Sequence, residues 1–412
     1  MRRVTDEGAF SNVVLPALLE RSTIGAGDRE LATELGYGTL RRLLPLDHAL
    51  APLLTKPLEK APPRARAALR VGAYQLLFTR IPDHAAVTET VGLVSPSERG
   101  FVNAVLRRLA AEGVRWPTGT SAEAVAARVG LAPWAVRELR RQLGEEAEEA
   151  AVALAAQAPL TLRTNPCRTT VELLEERLRA ERRAPERGLI HSGSLRLRGG
   201  AVHRLPGFRE GWFAVQDEAS SWVVDVLEPQ PGERILDACA GPGGKAADIA
   251  CRAGSVVAAD VSRNRIRLVA ETASRLGVRA LLLTQDAARP ALRDGFDRVL
   301  VDAPCSGLGA ARRRPELLWR PQRSELPSLA RLQLRIAATA ASLLRPGGVL
   351  VYSVCTFPSV ETDRICGRLL ERFPDLELFP FRASGATEDW QARLWPHRHG
   401  TDAMFVARFQ RK

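Results

Sequence analysis

The chain has 412 residues, more than one ordinary domain holds and enough for two or three, each able to bury a core. Its net charge is +12, with 59 Lys and Arg against 47 Asp and Glu, a balance that suits a polyanionic partner. No opening segment reads as a secretory signal and no apolar run reaches membrane-spanning length, so a cytoplasmic protein is expected.

Residues 1–145 read as helical throughout. Asp28 is placed as an N-cap ahead of Leu31 and Leu35, while Leu69, Ala73, Leu76 and Leu77 share one helical face and Val102, Val105, Leu106 and Leu109 another. Such stripes pack into a core. Between Lys60 and Arg115 nine basic residues stand against four acidic ones, with Arg107 and Arg108 at a helix end, so this part can offer a surface to RNA phosphates. Pro133, the acidic run Glu145, Glu146, Glu148 and Glu149, and the Ala-rich stretch 150–158 predict a helix and a hinge. From about residue 160 to 225 the pattern is mixed, with extended segments at 160–165 and 195–197 around a helix at 171–180. Eleven Arg against six Glu between Thr161 and Glu210 again suit a polyanion, and a small α/β subdomain is expected. From residue 219 onward strands and helices alternate regularly, with late strands at 348–354 and 404–409, which predicts an α/β fold around a mostly parallel sheet.

The loop at 235–245, Ile-Leu-Asp-Ala-Cys-Ala-Gly-Pro-Gly-Gly-Lys, organises this last part. A short strand gives way to glycines and a helix start, where the backbone approaches a ligand and free N–H groups face it. The spacing fits neither a dinucleotide nor a nucleoside-triphosphate fingerprint. Three further strands end at or just before Asp260, Asp286 and Asp302, so with Asp237 four acids stand at four strand ends, which form one crevice in an open parallel sheet. Asp260 is placed to accept ribose hydroxyls. Lys245 is the only lysine between Lys60 and Lys412 in a chain whose other basic residues there are Arg, so the position calls for a compact ammonium. Arg312, Arg313, Arg314, Arg320 and Arg323, with Trp319 among them, are expected to grip an RNA backbone and stack a base beside the crevice. The six cysteines, Cys167, Cys239, Cys251, Cys305, Cys355 and Cys366, include no C-x-x-C pair; neither a zinc knuckle nor a disulfide framework is expected, and the thiols are read as reduced.

Segments 237–245, 302–307 (Asp-Ala-Pro-Cys-Ser-Gly) and 352–356 (Tyr-Ser-Val-Cys-Thr) resemble motifs I, IV and VI of the RNA cytosine-5 methyltransferases. Nearly the whole chain resembles the bacterial Sun/Fmu-type small-subunit ribosomal RNA enzymes. Segments 28–31, 38–42, 81–87 and 101–108 are similar to the helical RNA-binding domain of the antitermination factor NusB, which fronts those enzymes; His84 and Asn103 lie there and are assigned no chemistry. Segments 162–165 and 215–220 resemble the lead-in to the methyltransferase core. The resemblance implies an all-α NusB-like domain at 1–145, a linker helix with a small α/β subdomain at 146–218, and a Rossmann-like S-adenosylmethionine methyltransferase domain at 219–412.

The implied reaction is methylation of carbon 5 of a cytosine in 16S ribosomal RNA. That carbon is a poor nucleophile until a thiolate adds at carbon 6 and makes it enamine-like. Cys305 and Cys355, at neighbouring strand ends, are both candidate thiols. The resemblance makes Cys355 the nucleophile and Cys305 the helper in product release, and brings Asp302 and Lys245 to the cytosine ring. Cofactor contacts are expected from Cys239, Ala240, Gly241, Pro242, Gly243, Gly244, Lys245, Asp260, Arg265, Asp286 and Asp302. Ribosomal RNA is the expected partner of a monomer without metal or membrane. The alternatives are the same chemistry on transfer RNA or another ribosomal cytosine, or a non-catalytic RNA-binding assembly or antitermination factor. The chain departs from the family pattern at Val354, usually Thr, at 358–363, and at Ala403, usually Gly.

Overall fold

The computed structural model of the protein describes residues 1–382 and 388–412. The chain forms two compact units, one of Met1–Ala156 with Ala311–Pro321, the other of Gln157–Ala310 with Gln322–Lys412.

The first unit is helical. Pro63, Pro96 and Pro133 open the helices Pro63–Phe78, Pro96–Glu112 and Pro133–Leu143 at the first turn, where a missing N–H is harmless. Both expected stripes face one core: Leu69, Ala73, Val102, Val105, Leu106 and Leu109 are buried beside Leu46 and Leu50, and Leu76 and Leu77 pack against it partly buried. Gly72 lets two helices close up, since a Cβ there would stand 2.5 Å from Leu106 Cδ1. Asp28 does not cap its helix. Ala26–Arg41 starts after Gly25, which puts Asp28 in the first turn, where a carboxylate complements the helix dipole, and leaves Leu31 exposed.

Residues 311–321 belong to this helical unit, and two members of the Arg-rich stretch, Trp319 and Arg320, are engaged there rather than left free for RNA. Glu316, fully buried, accepts the Ser11 N–H at 3.1 Å and its Oγ–H at 2.6 Å. The Arg320 guanidinium donates to the carbonyls of Val4, Gly8 and Ala9, and the Trp319 indole N–H donates to Leu40 O at 2.9 Å. Trp319 and Arg320 thus bind their own chain.

The second unit holds two sheets. In the smaller, β1 (Leu160–Thr164), β2 (Glu186–Arg187), β3 (Ser194–Leu197) and β4 (Phe213–Val215) run antiparallel in the order β2-β3-β1-β4. Their core joins Leu162, Leu195 and Phe213 to Leu174 and Leu178 of the helix Val171–Ala180. In the larger sheet β5 (Ile235–Asp237), β6 (Val256–Asp260), β7 (Ala280–Thr284), β8 (Phe296–Asp302) and β9 (Leu344–Val354) are parallel, in the order β7-β6-β5-β8-β9. β10 (Leu376–Leu378), the ribbon of β11 (Phe381–Arg382) and β12 (Glu388–Asp389), β13 (Gln391–Leu394) and β14 (Met404–Arg411) follow. β14 pairs antiparallel with β9 and, on its other edge, with β13 and β10.

Strand order reverses between β5 and β8, and there a doubly wound sheet opens its ligand crevice. Both faces of the sheet are covered, so β8 is apolar without alternation: Val299 and Val301 pack with Ala337 and Ala341 of the helix Leu326–Leu343, and Leu300 packs with Val223 and Ile249 of the helices Glu218–Leu227 and Gly244–Ala253. One expectation about the thiols is overturned: Cys167 and Cys251 are disulfide-bonded, with Cα atoms 5.8 Å apart. Folding brings β1 and the helix Gly244–Ala253 together, as the buried Arg163–Asp248 ion pair at 3.2 Å also records. A separation of 84 residues hides such a pair from any spacing rule.

Candidate active site

The crevice is built by strand ends. β5 ends at Asp237, the chain turns through residues 238–243, and Gly243, at φ 106°, caps the helix Gly244–Ala253. Lys245 therefore sits in a first helical turn beside the end of β8. Its Nζ donates to Asp302 Oδ2 and to Ser220 Oγ, both at 2.7 Å, while Ser353 Oγ–H donates to Asp302 Oδ1 at 2.9 Å. Asp302 and Ser353 are register partners on β8 and β9, so the cysteines that follow in each chain segment meet: Cys305 Sγ lies 3.5 Å from Cys355 Sγ.

Electrostatics sort these groups. Burial, with the Asp302 charge nearby, lifts the Asp237 carboxyl to about 7 against the pull of Lys245. Burial also works against the Lys245 ammonium, but Asp302, by charge and hydrogen bond, and Asp237 outweigh it and leave the pKa above the ordinary lysine value. Cys305 is raised well above an ordinary thiol, first by its hydrogen bond to Cys355 and then by burial. Burial and the acids around it do the same for Cys239.

A second cluster lines the glycine loop. Asp260 accepts the N–H of Gly241 at 3.2 Å and of Ser262 at 2.8 Å, with Arg265 Nη1 at 3.4 Å. Gly241 has no room for a side chain, since its Cβ would stand 2.5 Å from Arg265 Cβ and 2.7 Å from Asp260 Oδ2. Ala240 donates to Ala259 O, and the exposed Pro242 is held through its carbonyl by Thr272 Oγ1. Asp286 is exposed just beyond β7, with one carboxylate oxygen taking the Ala288 N–H of its own turn. The structure thus gathers Asp237, Lys245, Asp302, Cys305 and Cys355 in one group and Gly241, Asp260 and Arg265 in another, and Asp286 follows β7, whose Thr284 is the register partner of Asp260.

Sequence reasoning gave no part to Ser220, Ser353, Gln333 or Glu361. Ser220 and Ser353 lay within recognised motifs, and their hydroxyls next to Lys245 and Asp302 were the available signal. Glu361 stood only as part of a departing segment. Val261, a large apolar residue left 66% exposed directly after Asp260, was also missed. Among the described residues no group of His, Cys, Asp and Glu is arranged to hold a metal ion, and no helix is long and apolar enough to cross a membrane.

Residues 224–410 match the family described as 16S rRNA methyltransferase RsmB/F, residues 132–202 the ferredoxin-like domain of RsmF/B-like methyltransferases, and residues 1–111 the NusB family. The chain is 33% identical over 428 residues to the probable ribosomal RNA small subunit methyltransferase B of Bacillus subtilis, covering 98% of this chain and 95% of that protein. The chain belongs to the 16S rRNA methyltransferase RsmB/F family. Another RsmB/F-type relative, ribosomal RNA small subunit methyltransferase B of Serratia proteamaculans, is 34% identical over 98% of this chain and 95% of its own length. The crystal structure of PH0851 shares the fold, with a TM-score of 0.83 and 24% identity over 96% of this chain and 93% of that one. The Sun/Fmu resemblance read from the motifs is this RsmB/F membership, and the chain is an RNA methyltransferase with a NusB-like helical part and a Rossmann-like catalytic part.

Proposed function

We propose that the protein methylates carbon 5 of a cytosine in 16S ribosomal RNA from S-adenosylmethionine, through a covalent adduct between Cys355 and carbon 6. The observation that carries this reading is the pair of thiols 3.5 Å apart beside the Lys245–Asp302 ion pair. Cys305 is held protonated by its hydrogen bond to Cys355 and by burial, and the Lys245 ammonium is close enough to interact with a charge on Cys355, which suits Cys355 to the role of thiolate. Its thiolate adds to carbon 6 of the ring. The Lys245 ammonium, held by Asp302, faces the N3 edge, where negative charge develops, and the Asp302 carboxylate is an acceptor for the exocyclic amino group. Carbon 5 takes the methyl group and S-adenosylhomocysteine is left as the neutral thioether; a base then takes the carbon 5 proton, the carbon–hydrogen electron pair restores the ring double bond, and the carbon 6–sulfur bond breaks to return the thiolate, with Cys305 assisting release.

The residues of the loop suit the cofactor. Gly241 leaves a cradle that a Cβ would fill, the Asp260 carboxylate keeps acceptor capacity for ribose hydroxyls, and the exposed Val261 offers an apolar flat for the adenine. Cys239, Ala240, Pro242, Gly243, Gly244 and Lys245 would supply backbone and the first helical turn, with Arg265 and Asp286 at the rim. S-adenosylmethionine supplies an electrophilic methyl group on a sulfonium.

Base chemistry at carbons 5 and 6 needs a single-stranded or flipped target. Residues 1–145 would dock the RNA and residues 146–218 would guide it to the catalytic residues 219–412, in a monomeric cytoplasmic enzyme. The test is bisulfite sequencing of small-subunit RNA after incubation with the protein and S-adenosylmethionine, with transfer RNA in parallel. One newly protected ribosomal cytosine is expected, lost in Cys355→Ser although cofactor binding survives, while Cys305→Ala accumulates a covalent RNA adduct. Ordinary turnover by Cys355→Ser would refute the nucleophile. Protection only in transfer RNA would move the target, and none in either RNA would favour a binding factor.

A further inference from the structure

Two loops, 303–307 and 355–357, hold sulfur atoms 3.5 Å apart, yet neither loop is a strand or a helix. Their common anchor is Glu361. Its carboxylate is fully buried and accepts the Ser306 N–H at 2.9 Å, the Ser306 Oγ–H at 2.6 Å and the Gln333 Nε2–H at 3.0 Å. Thr356 Oγ1 is also hydrogen-bonded to it, and lies 2.7 Å from Ser306 Oγ. Ser306 directly follows Cys305, and Thr356 directly follows Cys355. Gln333, from the helix Leu326–Leu343, donates to Pro304 O at 2.9 Å as well, so the residue before Cys305 is held from the same centre. The Tyr352 hydroxyl fixes the Glu361 carbonyl at 2.8 Å.

We propose that Glu361 is a positioning residue that sets the separation of Cys305 and Cys355 by bonding to the residue that follows each of them. A buried carboxylate is costly unless fully hydrogen-bonded, and here its donors are drawn from both cysteine loops and from one helix, so neither loop can drift without leaving an acceptor unmet. Burial raises its pKa against the pull of these donors. The carboxylate holds the cysteine loops through backbone and hydroxyl groups, and its charge adds to the effects that keep the Cys305 thiol protonated. The inference rests on the proposed two-cysteine mechanism for its catalytic consequence, though the geometric claim stands apart from it.

The test separates the two. The full-length protein is treated with diamide, which takes up the two thiol hydrogens as one disulfide forms, and the Cys305–Cys355 cross-link is timed by peptide mass spectrometry. Methyl transfer to ribosomal RNA is measured in parallel as kcat and KM. Glu361→Ala is expected to slow cross-linking at least about tenfold and to lower kcat about a hundredfold with KM nearly unchanged, the loss that follows from moving a reacting group by about 1 Å. Glu361→Gln, which keeps an acceptor and the volume, should recover part of both. Should Glu361→Ala fail to fold, Ser306→Ala removes one donor and is expected to move both readouts the same way by a smaller factor. Cross-linking in Glu361→Ala and in Ser306→Ala at the wild-type rate would overturn the proposal. A wild-type protein that cross-links readily but methylates no RNA would overturn the functional reading alone, and the cross-linking rates would still judge Glu361.

Discussion

An aspartate whose pKa reaches about 7 changes charge near neutral pH, and Asp237 does so inside the site. The folded value lies above the ordinary 3.8, so the native state keeps a proton that the unfolded chain has lost. Stability contributed at low pH therefore declines as pH rises through that window. The cofactor-free protein is expected to lose a few kcal/mol between about pH 4 and about pH 7, and Asp237→Asn, permanently neutral, should flatten part of that slope. Urea unfolding of both proteins across the range checks it; parallel slopes would reject the buried protonated carboxyl. The same residue shows how a site departs from the reading of its parts. As one of four acids at strand ends Asp237 was legible, but its protonation depends on Asp302 and Lys245, 65 and 8 positions away, which only folding brings near.

At the scale of elements, the short 3-10 turn Leu308–Ala310 does much to lock the cysteine loops in place. Gly309 N–H donates to Cys355 O at 3.0 Å and its carbonyl accepts the Ala403 N–H at 3.1 Å. A Cβ at Gly309 would lie 2.0 Å from Ala403 O and 2.9 Å from Cys355 O, both backbone atoms that cannot swing aside. Gly309→Ala is expected to cost about 2–3 kcal/mol of stability and to depress methyl transfer more than cofactor binding. Denaturant titration and a cofactor-binding isotherm would show it, and unchanged stability would mean the loops have slack. Strands β5, β6, β8 and β9 could be seen in advance because an apolar run ending in Asp or Cys is a local signal. The tie from Gly309 to Ala403 could not, since nothing in either neighbourhood marks it. The same holds for the edge of β14, shared by β13 and β10, whose short strands carry little periodicity of their own.

Over the whole molecule, the helical and α/β parts follow from periodicity and charge, while two features depend on contacts across long stretches of chain. The Cys167–Cys251 bond is one. The other is the membership of Ala311–Pro321 in the helical unit, where local composition suggested an RNA grip. Glu316→Ala should strip the buried Ser11 of both its acceptors and cost about 2–3 kcal/mol, read as a lower midpoint for the helical unit's transition in thermal unfolding. An unchanged midpoint would show that water replaces the carboxylate. That placement has a consequence for biosynthesis. Domains generally fold as they emerge, the N-terminal one first. Here the N-terminal unit lacks its last piece until Pro321 of 412 residues has been made. Until then Ser11, Leu40 O and the carbonyls of Val4 and Ala9 stay open to solvent, and by then most of the second unit has also been synthesised. The two units therefore reach completion late and close together in time, and translation halted before residue 311 leaves both incomplete.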